Sequence, residues 1–153
     1  MIQMDDQLDQ IAMRTEQLID ICRKVLRRQG GDRLVAAYLY GSVLGARHRP
    51  DSDLDIAILD REDDRVSWEA QAELMDQLER ATGQGVDMRM LREGTLAYQV
   101  HVVEQGRLIW SRDDEAVQAF AHAINEEHER CLDQRSQCWI SLVGTLARRA
   151  GNP

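Results

Sequence analysis

Apolar residues recur at helical spacing over residues 5–29, where Leu8, Ile11, Leu18, Cys22 and Val25, with Ile19 and Leu26 alongside, mark one face. Gly30-Gly31 supplies a stop. Residues 34–40 and 54–59 then form two short, nearly continuous apolar runs, the pattern of strands buried on both faces. Ser67 is placed to cap a helix carrying Trp68, Leu74, Met75, Leu78 and Ala81, which Gly83 and Gly85 terminate. A third strand is predicted over 86–91, a helix over 95–105, and a turn at Gly106 leading through Leu108-Ile109-Trp110 into a short edge strand. Asp113 caps a long helical pattern through Val117, Phe120, Ile124, Cys131, Cys138 and Leu142. Strands alternating with helices imply an α/β sandwich around a small sheet, with a helix at each end of the chain.

Length and charge limit what such a scaffold does. A chain of 153 residues suits one domain, expected over 5–145, with 1–4 and 148–153 as disordered termini. The net charge of −8 argues against nucleic-acid binding, because such affinity rests on Lys and Arg neutralising phosphates. The first ten residues, MIQMDDQLDQ, lack the basic start and apolar core of a signal peptide, and no apolar run approaches a membrane span, so a cytoplasmic protein is expected. Cys22, Cys131 and Cys138 form no CxxC pair and read as buried free thiols.

The chemistry concentrates in LYGSVLGARHRPDSDLDIAIL, residues 39–59, where Asp51, Asp53, Asp55 and Asp60 crowd a strand edge. Residues two apart on a strand share a face, so Asp53 and Asp55 aim their carboxylates together while Leu54, Ile56 and Ile58 pack elsewhere. Two such carboxylates resist joint ionisation unless a cation neutralises them. An all-oxygen ligand set without a His or Cys cluster points to Mg²⁺ or Mn²⁺. Asp87, in the strand after the intervening helix, would join them if the strands pair, and three carboxylates suit two ions clamping a phosphoryl group. Gly41-Ser42 falls where the first strand gives way to a helical turn, so backbone N–H groups and the Ser42 hydroxyl are free to hold phosphate oxygens. Arg47, His48 and Arg49 bring positive charge for a triphosphate.

Gly41-Ser42, ten residues, then Asp53-x-Asp55, with a strand on each side and the later acid Asp87, resembles the signature of the polymerase β nucleotidyltransferase superfamily. That resemblance implies a small mixed sheet of the palm type flanked by helices. The compact chain, its N-terminal helix and the segment LREGTLAYQVHVVEQGRLIW resemble, over about residues 5–140, the minimal nucleotidyltransferase antitoxins of HEPN/MNT toxin–antitoxin modules. Such antitoxins are understood to transfer AMP from ATP to a tyrosine of a HEPN ribonuclease toxin. The resemblance thus implies a hetero-oligomer with such a toxin, two Mg²⁺ ions (Mn²⁺ as an alternative), and ATP as substrate. Carried over, Gly41 and Ser42 would bind the nucleotide phosphates, Asp53 and Asp55 would ligate both ions, and Asp87 would complete one and accept the proton of the attacking hydroxyl.

One departure separates the motif from the family pattern. Many members read Gly-Ser-x-Ala-Arg-Gly, whereas this chain reads Gly-Ser-Val-Leu-Gly-Ala-Arg, so the basic residue arrives late, at Arg47. The same stretch resembles aminoglycoside adenylyltransferases, which leaves a small-molecule acceptor open; a neutraliser that only binds its toxin is the other alternative. Arg89 and Arg92 read equally well as phosphate contacts or as solubilisers of a sheet edge. His101, His122 and His128 are expected on helix surfaces, and Trp139, Ile140, Leu142 and Val143 give the last helix an apolar end for a partner or for packing back on the domain.

Overall fold

The computed structural model describes residues 2–45 and 52–150. Arg47, His48, Arg49 and Asp51 lie outside the described residues. Eight main elements follow the predicted order: α1 (Ile2–Gln29), β1 (Leu34–Tyr40), β2 (Leu54–Asp60), α2 (Trp68–Thr82), β3 (Val86–Met90), α3 (Leu96–Gln105), β4 (Arg107–Ser111) and α4 (Asp114–Ala150). The helical backbone begins at Ile2 and runs to Ala150.

Local chemistry explains the boundaries. Gly31, at φ 62°, turns the chain out of α1, and Gly83, at φ 69°, closes α2 in the left-handed conformation that only glycine adopts freely. The Ser67 hydroxyl accepts from the Ala70 N–H at 3.2 Å, the Thr95 hydroxyl from Tyr98 at 3.3 Å, and the Asp113 carboxylate from Ala116 at 2.9 Å, so α2, α3 and α4 each start on a side-chain cap.

The sheet is mixed, in the order β3-β2-β1-β4. β1 is antiparallel to β2 and β4, while β2 and β3 are parallel and joined through α2. Every residue of β1 is buried, as its unbroken apolar run requires. One face packs Leu54, Ile56 and Ile58 against Leu18, Ile19, Cys22 and Leu26 of α1 and Leu74 and Leu78 of α2. The other packs Tyr38, Tyr40, Ala57 and Leu59 against Val100 and Val102 of α3 and Val117, Phe120 and Ile124 of α4. The described side chains of α4 beyond Ile124 are exposed or half-buried, Ile140 at 69% among the most open.

Three expectations change. Only Cys22 is a buried thiol, pushed up to about 11 by desolvation; Cys131 is half-buried and Cys138 exposed, because both lie on α4 past its last core contact. Asp60 does not belong to the acidic edge: it is fully buried at the opposite end of β2, where its Oδ2 accepts from Arg65 Nε at 2.6 Å and from the Val66 N–H at 3.1 Å. Arg92 is neither a phosphate contact nor a solubiliser. Its Nε donates to the Asp60 carbonyl at 2.8 Å and its guanidinium lies 5.1 Å from the Phe120 ring centre, which ties the end of β2 to α4.

Candidate active site

The site forms where β1 ends and β2 and β3 begin. Antiparallel register puts Tyr40 opposite Asp55, and parallel register puts Asp87 beside Asp55 on the other flank. Alternation turns Asp55 and Asp87 toward the face covered by α3, while Leu54, Ile56 and Val86 enter the core on the other face. The pairing on which a shared acidic site depends is therefore present. Asp53, exposed, stands one residue before β2, so the loop rather than the ladder positions it.

Two glycines are pressed against the two leading carboxylates. Gly41 has φ 78°, and a Cβ there would come 3.0 Å from the Asp55 carboxyl carbon. A Cβ on Gly85 would come 3.0 Å from the Asp53 carboxyl carbon. Gly85 reads from sequence as a helix terminator only; its contact joins positions far apart in the chain. Gly41 also opens a single 3-10 turn, Gly41–Leu44, in which Ser42 is exposed and the Ser42 carbonyl accepts from the Gly45 N–H at 3.0 Å. Val43 anchors this turn by burying its side chain in the core, and the Thr15 hydroxyl of α1 lies 3.4 Å from the Val43 carbonyl. The phosphate-holding candidates Gly41 and Ser42 thus sit on a turn pinned from below.

Electrostatics match the crowding. Desolvation raises the Asp55 carboxyl above its ordinary range, the charges of Asp87 and Asp53 push the same way, and Arg89 opposes them. Arg89, two residues along β3, holds Asp87 in a 3.1 Å ion pair. Of the two arginines left open by the sequence, this one joins the site. Above the carboxylates, Tyr98 of α3 meets Tyr40 edge to face, ring centres 5.7 Å apart and hydroxyls 3.3 Å apart. Burial raises both phenols, so both stay protonated donors near neutral pH. Neither tyrosine is distinguished in the sequence, since their pairing spans 58 positions.

The donor set suits a hard divalent ion. Asp53, Asp55 and Asp87 offer carboxylate oxygens only, and the unfavourable crowding at Asp55 is what a cation relieves. Among the described residues no three His, Cys, Asp or Glu side chains already stand as a metal cluster. Asp87 is held by the Arg89 guanidinium at 3.1 Å.

Comparison with known proteins places this geometry in context. The polymerase beta nucleotidyltransferase family model matches residues 16–115, which include Gly41, Ser42, Asp53, Asp55 and Asp87. Comparison with curated proteins gives no match. Among solved structures, a toxin–antitoxin complex with AMP-PNP is 28% identical, with TM-score 0.62 over 82% of this chain and 98% of the matched one. The tri-AMPylated HEPN toxin of Shewanella oneidensis in complex with MNT antitoxin matches at 25% identity and TM-score 0.61, over 84% of this chain and 98% of the other. A mutant of the toxin–antitoxin pair MntA–HpeT matches at 27% identity and TM-score 0.58, over 78% and 93%. The chain resembles the MntA/MNT antitoxins of these complexes.

Proposed function

Because the chain belongs to the polymerase beta nucleotidyltransferase family, we propose that it is an antitoxin-type adenylyltransferase that moves AMP from ATP to a hydroxyl, a tyrosine by preference, of a partner HEPN toxin in the cytoplasm. The single observation that carries this reading is the strand register that sets Asp55 between Tyr40 and Asp87, with Gly41-Ser42 directly after Tyr40. The similarity to antitoxin chains crystallised with AMP-PNP and with an AMPylated toxin supports the choice of nucleotide and acceptor.

Each residue then has a task. The backbone of Gly41-Ser42 and the Ser42 hydroxyl hold the triphosphate, and Gly41 leaves the Asp55 carboxylate the room that a Cβ would take. Asp53, Asp55 and Asp87 hold Mg²⁺, two ions being the expected number and Mn²⁺ a substitute, and Arg47 adds charge toward the phosphates. When bound, the ions supply neutralisation of the charge that gathers on the α-phosphate and on pyrophosphate. The acceptor oxygen bonds to the α-phosphorus, the bond to pyrophosphate breaks, and Asp87 takes the hydroxyl proton. Arg89, paired with Asp87 at 3.1 Å, supplies a cation beside the reacting phosphate.

The test is the intact mass of the co-purified partner before and after incubation with ATP and Mg²⁺. Wild type should add whole adenylyl units, and the Asp53→Asn, Asp55→Asn double variant none. An unchanged partner mass in a stable complex would refute enzymatic transfer and favour neutralisation by binding alone.

A further inference from the structure

The acceptor must enter from a definite side. In-line displacement requires the attacking hydroxyl opposite the departing pyrophosphate. With the triphosphate held at the end of β1 by Gly41-Ser42, the opposite side is β3, the outer strand of the sheet. A groove of about 500 Å³ lies there, lined by Trp68, Met88, Arg89, Met90, Thr95 and Tyr98 among others. Arg89 and Tyr98 belong to both the groove and the site, so one opens directly into the other.

Three features suit this groove to a polypeptide. First, among the described residues β3 pairs only with β2, and in regular register from Val86 to Met90, whereas the β1–β2 and β1–β4 pairings both carry an irregularity. A straight unpaired edge is a template for an added strand. Second, the backbone directions are set: the Gly85 carbonyl accepts from Leu54 of β2, while the Val86 N–H faces away and is capped by Glu79 at 3.1 Å. Alternation then turns the N–H and carbonyl of Met88 outward, toward the groove. Third, Trp68, 77% exposed at the start of α2, stands on the groove's rim as a large apolar surface without a core role. Across the groove, the Tyr98 ring is seated on Gly94, where a Cβ would come 3.1 Å from its Cγ.

We infer that this groove is the acceptor subsite, taking an extended polypeptide segment of the partner along β3 with an apolar side chain on Trp68 and its hydroxyl residue delivered past Arg89 and Tyr98 to the carboxylates. The inference rests on the AMP-transfer reading above. Trp68 acts in binding the acceptor and touches no reacting atom.

Two measurements on the full complex test it. Trp68→Ala should raise KM for the protein acceptor about tenfold, the loss of one apolar anchor, with kcat and AMP-PNP affinity at wild-type values, and Trp68→Phe should recover most of the loss. With a benzophenone cross-linker in place of Trp68, irradiation should join the chain to the partner within a few residues of the AMP-bearing hydroxyl. A wild-type KM in Trp68→Ala, or cross-links to a segment remote from the modified residue, would overturn the groove and leave AMP transfer standing. A wild-type protein that binds AMP-PNP and transfers nothing would overturn the activity and the acceptor subsite together.

Discussion

Replacing Gly41 by alanine strains the site in two ways at once. The backbone stands at φ 78°, where any Cβ crowds the following carbonyl and costs about 1–2 kcal/mol. The new methyl also comes 3.0 Å from the Asp55 carboxyl carbon, well inside contact distance, so the carboxylate must leave its rotamer at about 0.5–1.5 kcal/mol more. Together these predict a loss of roughly 1.5–3.5 kcal/mol, or about 3–14 °C in melting temperature for a chain of this size. Activity should fall further than stability suggests, because a displacement of about 1 Å at a reacting centre is worth roughly 100-fold in rate. The assay is a double-variant cycle: urea and thermal unfolding of wild type, Gly41→Ala, Asp55→Ala and the pair, with AMP transfer measured on the two that keep Asp55. In the Asp55→Ala background only the backbone part, about 1–2 kcal/mol, should remain. Equal effects of Gly41→Ala in both backgrounds, or unaltered transfer by Gly41→Ala, would refute the contact between this glycine and Asp55 as the reason for glycine here.

Other perturbations follow from the same geometry. Asp53→Asn with Asp55→Asn should lower transfer by about 1,000-fold or more, the equivalent of several kcal/mol of lost charge stabilisation, while melting no lower than wild type; a variant that melts early would mean the carboxylates serve the fold. The Asp55 carboxyl is raised in the folded state, so the folded chain binds more protons than the unfolded one, and wild-type stability falls as pH rises through the interval between the two values. Asp55→Asn should therefore gain on wild type above that interval and lose its advantage below the ordinary carboxylate range; urea unfolding across pH checks this, and an advantage greatest at acid pH would reverse the sign. Asp60→Ala should cost about 3 kcal/mol, since it strips a fully buried carboxylate from Arg65 and Arg92, and should leave AMP-PNP affinity unchanged because the network lies at the far end of β2. Calorimetry with and without AMP-PNP separates the two, and a weakened nucleotide affinity would link the ends of the strand.

What the sequence makes legible is whatever depends on near neighbours. Periodicity and caps locate the start of every α-helix and strand, and the end of α2, to within a few residues, because Ser67, Thr95, Asp113 and Gly83 act on the turn beside them. The Gly-Ser to Asp-x-Asp spacing is legible for the same reason: a hairpin of fixed length returns Asp55 to the end of β1. Thr15 under Val43, Gly85 against Asp53 and Tyr98 on Tyr40 are invisible along the chain, since nothing local marks them until the fold closes. The same limit explains why Asp60 reads from sequence as one more member of an acidic edge. Asp55 and Asp60 stand on one strand, five residues apart, and bracket the apolar run between them. At one end the neighbours are two more carboxylates and a glycine that admits no side chain, an arrangement that raises the energy of the charge and leaves it wanting a cation. At the other end Arg65 and the Val66 N–H both donate to one carboxylate oxygen and the Arg92 guanidinium lies 3.8 Å from the other, so the charge is paired and the acid is part of the frame. The distinction between a site and a staple therefore lies in the partners that β3, α3 and the loop after β2 bring, and an unrelieved carboxylate beside an open groove is the feature that marks where a ligand belongs.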